Sequence, residues 1–172
     1  VSAQAKAFTK EIITEMGKHV ENPIIFPLSN PNSCSEADPE ELIHWTKGKA
    51  IIGTGSPFQT VDYDNKKYTI AQCNNVYIFP GIGLGAIAAK APKVTDEMFI
   101  QAAHVLSKHS RFPDLFPSLK NLREVSREIA LEVVAVAENQ GLITPMTREA
   151  REKLVDQAIW FPSYPDYSFK KE

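Results

Sequence analysis

The 172-residue sequence has little cysteine, no strong excess of charge of either sign and no long apolar run. Its two cysteines, Cys34 and Cys73, are too few for a disulfide framework. Neither has a histidine or a second cysteine at the spacing that a zinc site needs. We therefore expect reduced thiols and a cytoplasmic location, with an organelle as the alternative.

The formal net charge is -2, and the basic residues are interleaved with acids rather than clustered. This pattern argues against nucleic-acid binding, which needs a concentrated basic face. The longest apolar run, residues 76–89, is interrupted by Pro80 and three glycines and is shorter than the roughly 20 residues of a membrane span. The first residue is Val1, and no signal-peptide pattern follows it. We expect a piece of a longer protein.

Two apolar segments, residues 23–28 and 49–56, have the composition of buried strands. Between them, Asp38 and Pro39 followed by two glutamates form a strong helix start. Strand, helix and strand within about 30 residues predict a right-handed parallel βαβ unit. Ligands of such sheets gather at the carboxyl ends of the strands, which here carry residues 29–31 and 53–56.

Alternating residues at 61–70 predict an exposed hairpin, and apolar residues at helical spacing predict further helices. The predicted helices cover residues 8–16, 95–106, 119–138 and 147–159. The fold class is therefore α/β, a parallel sheet flanked by helices and followed by a helical segment.

Residues 73–86 permit two interpretations. In the first, residues 76–79 form a buried strand and Gly81-x-Gly83-x-x-Ala86 forms a phosphate-binding turn, as in dinucleotide-binding proteins. In the second, the run is a helix of small residues that packs close to a neighbour, with Asn74 and Asn75 at its start. We favour the helix, because Pro80 lacks the amide that a central strand requires and no acid follows at the ribose-binding distance.

Three asparagines and one serine follow predicted strands or precede the helix: Asn30, Ser56, Asn74 and Asn75. An asparagine side chain offers two donors and an acceptor without adding charge, which suits a ligand with carboxylate and hydroxyl groups. The alternative is that Asn30 is a turn residue and Asn74 a helix cap. From spacing alone, no base, nucleophile or metal site is predicted.

Three motifs resemble the carboxyl-terminal part of malic enzymes in identity, order and interval. They are residues 23–31 (PIIFPLSNP), 53–58 (GTGSPF) and 74–81 (NNVYIFPG). A later Val125-Ser126-x-x-Ile129-Ala130 helix matches as well, and the likeness covers residues 8–167. The tail Trp160-x-Pro162-x-Tyr164 is similar to the bacterial NAD-using branch and its malolactic relatives.

The resemblance implies a partial Rossmann-like fold. Residues 1–92 would be the carboxyl-terminal part of an NAD-binding domain, and residues 93–172 a C-terminal helical extension packed on it. It also implies oxidative decarboxylation of (S)-malate to pyruvate and carbon dioxide, with NAD or NADP and with Mn²⁺ or Mg²⁺. We expect a homo-oligomer, because a truncated sheet exposes an unpaired edge and apolar surface.

The family's site residues map onto the motifs. The asparagine that matches Asn30 contacts malate and the cofactor ribose in the family, and an asparagine of the pair matching Asn74 and Asn75 contacts malate. The resemblance therefore implies substrate contacts at those three asparagines. It implies cofactor contacts at Asn30, Gly55, Ser56 and Asn74.

The family's catalytic tyrosine and lysine, metal-binding acids and glycine-rich phosphate loop have no match in this chain and precede its start. No catalytic residue and no metal ligand is therefore predicted here, and we expect the chain alone to be inactive without the upstream remainder of the enzyme. Two alternatives stay open. One is a malolactic enzyme, which converts malate to lactate and carbon dioxide and retains NAD; the other is a non-catalytic association module.

Overall fold

The computed structural model describes residues 4–110 and 114–164. Within these residues the helices are α1 (Lys10–His19), α2 (Pro39–Trp45), α3 (Phe79–Ala88), α4 (Asp96–His109), α5 (Leu122–Asn139) and α6 (Arg148–Ala158). The strands are β1 (Ile24–Ile25), β2 (Ile51–Thr54), β3 (Val61–Tyr63), β4 (Lys66–Tyr68) and β5 (Ala71–Gln72). The predicted α/β class is confirmed.

Two units make up the chain. The first ends at Asn75 and takes in the short later segment Ser110–Phe116, and the second runs from Val76 to His109 and from Pro117 onward. The predicted division after residue 92 separates a cofactor domain from a helical extension. That division stays a prediction.

The first unit is built on a parallel sheet in the order β1-β2-β5. The predicted βαβ unit is present as β1, α2 and β2, with a core that includes Ile25, Leu42 and Ile52. The short strand β5, which pairs with the second half of β2, was not predicted. The sheet therefore has one more strand end at its carboxyl edge than the sequence indicated.

The strand β1 is shorter than predicted, because Pro23 and Pro27 have no N–H to donate to a ladder. Their carbonyls still accept hydrogen bonds from Ile51 (2.9 Å) and Gly55 (3.1 Å), so the segment follows β2 over its whole length. Ile24 is 61% exposed whereas Ile25 is 3% exposed, so the prediction of a buried strand is wrong for one of the two residues of β1.

Local sequence signals set the other elements of the first unit. Asp38 caps α2 by accepting a hydrogen bond from the Glu40 amide at 2.8 Å, as predicted. β3 and β4 form the predicted hairpin around Asp64 and Asn65, whose φ angles of 50° and 58° fit a two-residue turn of the type that hairpins favour.

The second unit is a bundle of helices in which α5 packs against α3, α4 and α6. The predicted periodicity of α5 is confirmed: Val125, Ile129 and Val133 are fully buried. None of the helices within the described residues is long and apolar enough to cross a membrane.

The glycines at 81, 83 and 85 lie inside α3, so the strand and phosphate-binding turn do not form. A Cβ on Gly81 would lie 2.6 Å from the Cβ of Ile129, and one on Gly85 would lie 2.6 Å from the carbonyl oxygen of Ala130. Close packing against α5 therefore explains these two glycines. It does not explain Gly83, where a Cβ would meet nothing within 4 Å.

This contrast supplies a matched pair of variants. We expect Gly85→Ala to lower the free energy of unfolding of the second unit by about 1–3 kcal/mol, because α5 must move away from α3. Gly83→Ala is expected to raise it by up to about 1 kcal/mol, because alanine favours the helix. Urea denaturation followed by circular dichroism measures both, and equal effects of the two substitutions would contradict the packing of α3 on α5.

Candidate functional site

The candidate site lies at the carboxyl edge of the β1-β2-β5 sheet. Asn30 follows the segment that begins with β1, Gly55 and Ser56 follow β2, and Asn74 and Asn75 follow β5. Parallel strands end at the same edge, so the strand order places these residues on neighbouring loops. All of them belong to the first unit.

Asn30 and Ser56 are in direct contact. The Ser56 hydroxyl donates a short hydrogen bond to Oδ1 of Asn30 across 26 residues of sequence. This bond fixes the orientation of the amide. Oδ1 is directed to Ser56, and the NH₂ group is the part of the amide that can donate to a ligand. The contact of Nδ2 with the Leu28 carbonyl is 3.5 Å long, at the outer limit of a hydrogen bond, and leaves donor capacity for a ligand. Asn30 itself is exposed.

Gly55 brings the two loops together. It is buried, and a Cβ at this position would overlap the carbonyl of Leu28. Its amide donates to the Pro27 carbonyl at 3.1 Å, and its own carbonyl accepts from Nε2 of Gln72 at 3.2 Å. Gly55 thus allows two segments of the chain to approach each other closely. Its predicted contact with a cofactor stays a prediction.

Asn74 and Asn75 are both exposed at the end of β5. The Cys73 amide donates to the Thr54 carbonyl at 2.8 Å, which carries the pairing with β2 to the residue before Asn74. Asn75 begins a 3-10 helix, Asn75–Tyr77, that precedes α3. The N-cap of α3 is Ile78, so Asn74 is not the cap of that helix.

Cys73 separates this asparagine pair from the sheet. Its sulfur lies so close to Gly53 that a Cβ on the glycine would be 2.5 Å from it. Burial raises the pKa of the Cys73 thiol above its ordinary value, because the charged thiolate is poorly solvated there. This shift favours the protonated thiol over the more nucleophilic thiolate.

Glu36 was not predicted as a site residue, and the structure shows it bonded to Ser29, the residue before Asn30. Glu36 is 2% exposed and accepts hydrogen bonds from the amide and the hydroxyl of Ser29. No motif or spacing rule marks this residue, because its partner is seven positions away, across a loop of residues 30–35.

The edge offers neutral hydrogen-bonding groups. Three amides and one hydroxyl suit a ligand that carries both hydroxyls, such as a ribose, and a carboxylate. This edge can therefore form hydrogen bonds with hydroxyl and carboxylate groups of a ligand. Among residues 4–110 and 114–164, no group of three or more His, Cys, Asp or Glu side chains is placed to hold a metal ion.

Comparison with known proteins gives consistent results. The family profile described as the NAD binding domain of malic enzyme matches residues 1–138. The NAD-dependent malic enzymes of Salmonella typhimurium and Salmonella typhi are each 48% identical to this chain over 172 residues, which is 97% of this chain and 30% of each relative.

A solved structure is also similar. The crystal structure of malic enzyme from Pyrococcus horikoshii Ot3 has a TM-score of 0.68 and 28% sequence identity, and the similarity covers 90% of this chain and 32% of that one. The chain thus spans 30% of the length of the curated relatives that it matches.

The Asn30–Ser56 bond can be tested directly. We expect Ser56→Ala to shift the side-chain NH₂ resonances of Asn30 in a ¹⁵N correlation spectrum, because Oδ1 loses its donor and the amide becomes free to rotate. The free energy of unfolding is expected to fall by only about 1 kcal/mol.

Ser107→Ala is the matched control. In the second unit, the exposed Ser107 hydroxyl donates a hydrogen bond to the His104 carbonyl at 2.8 Å. Removal of this hydrogen bond is expected to leave the Asn30 resonances unchanged. Unchanged Asn30 resonances in Ser56→Ala would show that the pair is not formed in solution.

Proposed function

Because the chain belongs to the malic enzyme family, we propose that it forms part of the site at which such an enzyme binds NAD and (S)-malate. The whole enzyme would convert malate to pyruvate and carbon dioxide. The choice of NAD over NADP is supported by the relatives at 48% identity, which are named NAD-dependent malic enzymes.

The observation that carries the proposal is the hydrogen-bonded Asn30–Ser56 pair at the carboxyl edge of the sheet. Ligands of open parallel α/β sheets bind at this edge. A neutral amide with a fixed orientation can donate to a carboxylate or a ribose hydroxyl without a large desolvation cost. The pair is formed by residues from two of the three motifs that resemble malic enzymes.

Each residue at the edge has a distinct task in this proposal. The NH₂ group of Asn30 donates to malate and to the ribose of the cofactor, and the hydroxyl of Ser56 holds that amide in position. An amide of the Asn74 and Asn75 pair donates to malate, with Asn74 also next to the cofactor. Gly55 keeps the two loops in contact beside the nicotinamide. When bound, NAD would supply the hydride acceptor for the oxidation of malate at C2.

The rest of the chemistry belongs to parts of the enzyme that this chain does not supply. In this proposal a catalytic tyrosine, a catalytic lysine and the ligands of Mn²⁺ or Mg²⁺ come from the upstream part of the enzyme, as the family resemblance implies. No residue of this chain is proposed as a ligand of the metal. A homo-oligomeric state and a cytoplasmic location are part of the same proposal.

A chimaera tests the proposal. We expect turnover when this chain replaces the matching segment of the Salmonella typhimurium enzyme, measured as NADH production from malate with Mn²⁺. Asn30→Ala in the chimaera is expected to lower kcat/KM for malate by about 10- to 100-fold, the equivalent of a lost hydrogen bond to a charged group.

Asn32→Ala is the matched control, because Asn32 lies in the same loop and donates to the Pro57 carbonyl at 3.3 Å. Its effect is expected to be under about threefold. An Asn30→Ala chimaera with unchanged kinetics would contradict the proposed contact. The 172-residue chain alone is expected to produce no NADH, and accumulation of lactate by the chimaera in place of pyruvate would favour the malolactic reaction.

A further inference from the structure

A buried carboxylate holds the residue next to Asn30. Glu36 is 2% exposed and Ser29 is 1% exposed. Oε2 of Glu36 accepts a hydrogen bond from the Ser29 amide at 3.1 Å, and Oε1 accepts one from the Ser29 hydroxyl at 2.5 Å. One carboxylate thus satisfies both the main-chain and the side-chain donor of the same residue.

These two bonds close a loop of the chain. Between Ser29 and Glu36, a 3-10 helix (Asn32–Cys34) turns the chain back, and the Cys34 amide donates to the Pro31 carbonyl at 2.8 Å. The main chain of Glu36 is itself anchored, because its carbonyl accepts from the Phe8 amide at 2.9 Å. The hydrogen bonds of the Glu36 side chain therefore connect Ser29 to this anchored part of the main chain.

The placement of Asn30 depends on that anchorage. Ser29 is buried whereas Asn30, the next residue, is exposed at the sheet edge. A change in the backbone of Ser29 would move the Cα of Asn30 and pull its side chain away from Ser56. Asn30 is therefore held from two sides, its backbone through Glu36 and its amide through Ser56.

We propose that Glu36 is a positioning residue, which holds Asn30 in the geometry that binds malate and the cofactor. The inference rests on the proposed function of Asn30 and adds a residue that does not itself touch the ligand. A displacement of about 1 Å in a substrate-positioning group can cost up to about 10²-fold in rate, so a lost anchor here has a measurable effect.

The first test uses the 172-residue chain and needs no activity. We expect Glu36→Met to shift or broaden the side-chain NH₂ resonances of Asn30. Glu36→Gln is expected to leave them near their original positions, because its carbonyl accepts from the Ser29 amide and its NH₂ donates to the Ser29 hydroxyl. Ser29→Ala removes the hydroxyl bond to Glu36 and keeps a measurable variant available if Glu36→Met does not fold.

The matched control is Glu138→Met in the second unit. Glu138 is also a buried acid and is 8% exposed. Its carboxylate accepts a hydrogen bond from the backbone amide of Met146 at 2.8 Å. This substitution is expected to destabilise the second unit, to which Glu138 belongs, while Asn30 belongs to the first unit. Its Asn30 resonances are expected to stay in place.

The second test places the same substitutions in the chimaera. We expect Glu36→Met to raise KM for malate by about tenfold and Ser29→Ala to raise it by about threefold. Glu36→Gln and Glu138→Met are expected to have a KM close to that of the parent chimaera.

The inference is overturned if the Asn30 resonances and KM are unchanged in Glu36→Met and Ser29→Ala. It is also overturned if Glu36→Gln is as damaging as Glu36→Met, or if Glu138→Met changes KM equally. A parent chimaera without activity would refute the proposed function, and the resonances of Asn30 would still decide whether Glu36 positions it.

Discussion

The close approach of Gly55 to the carbonyl of Leu28 is the constraint on which the candidate site depends. Any side chain at position 55 would overlap that carbonyl and force the end of β2 away from the segment that follows β1. With glycine there, the Gly55 amide reaches the Pro27 carbonyl, and the next residue, Ser56, reaches Asn30. Because glycine has no Cβ, the two loops can lie close enough for the hydrogen bond between Ser56 and Asn30 to form.

The Asn30 amide is neutral, and neighbouring residues restrain its orientation. Asn30 is restrained through Ser56 on its side chain and through Glu36 and Ser29 on its backbone. Restraints of this kind reduce the ordering that binding must otherwise impose, so that each amide contributes more of its hydrogen-bond energy to affinity. The charged groups for the reaction would come from the remainder of the enzyme. In the proposed function, this chain supplies neutral hydrogen-bond donors and holds Asn30 in its orientation.

Much of the fold follows from local patterns in the sequence. The β1-α2-β2 unit, the cap at Asp38, the hairpin at Asp64 and the long helix α5 each depend on residues close together in the chain, which pattern rules describe well. The prediction from Pro80 that no strand precedes Gly81 is confirmed, because Pro80 lies in α3. The features that were missed depend on distant partners. Strand β5 is two residues long and is defined by its pairing with β2, and the role of Glu36 is defined by Ser29. The resemblance to malic enzymes identified Asn30 and Ser56, but only the structure shows that they touch.

A crystal structure of the chimaera with NAD and malate would show whether these asparagines bind the ligands. We expect Nδ2 of Asn30 to lie within about 3.2 Å of a ligand oxygen, with Ser56 still donating to Oδ1 of Asn30. We also expect a hydrogen bond from Asn74 or Asn75 to malate. Ligands bound elsewhere, with the amides of all three asparagines beyond hydrogen-bond distance from them, would contradict the proposed contacts.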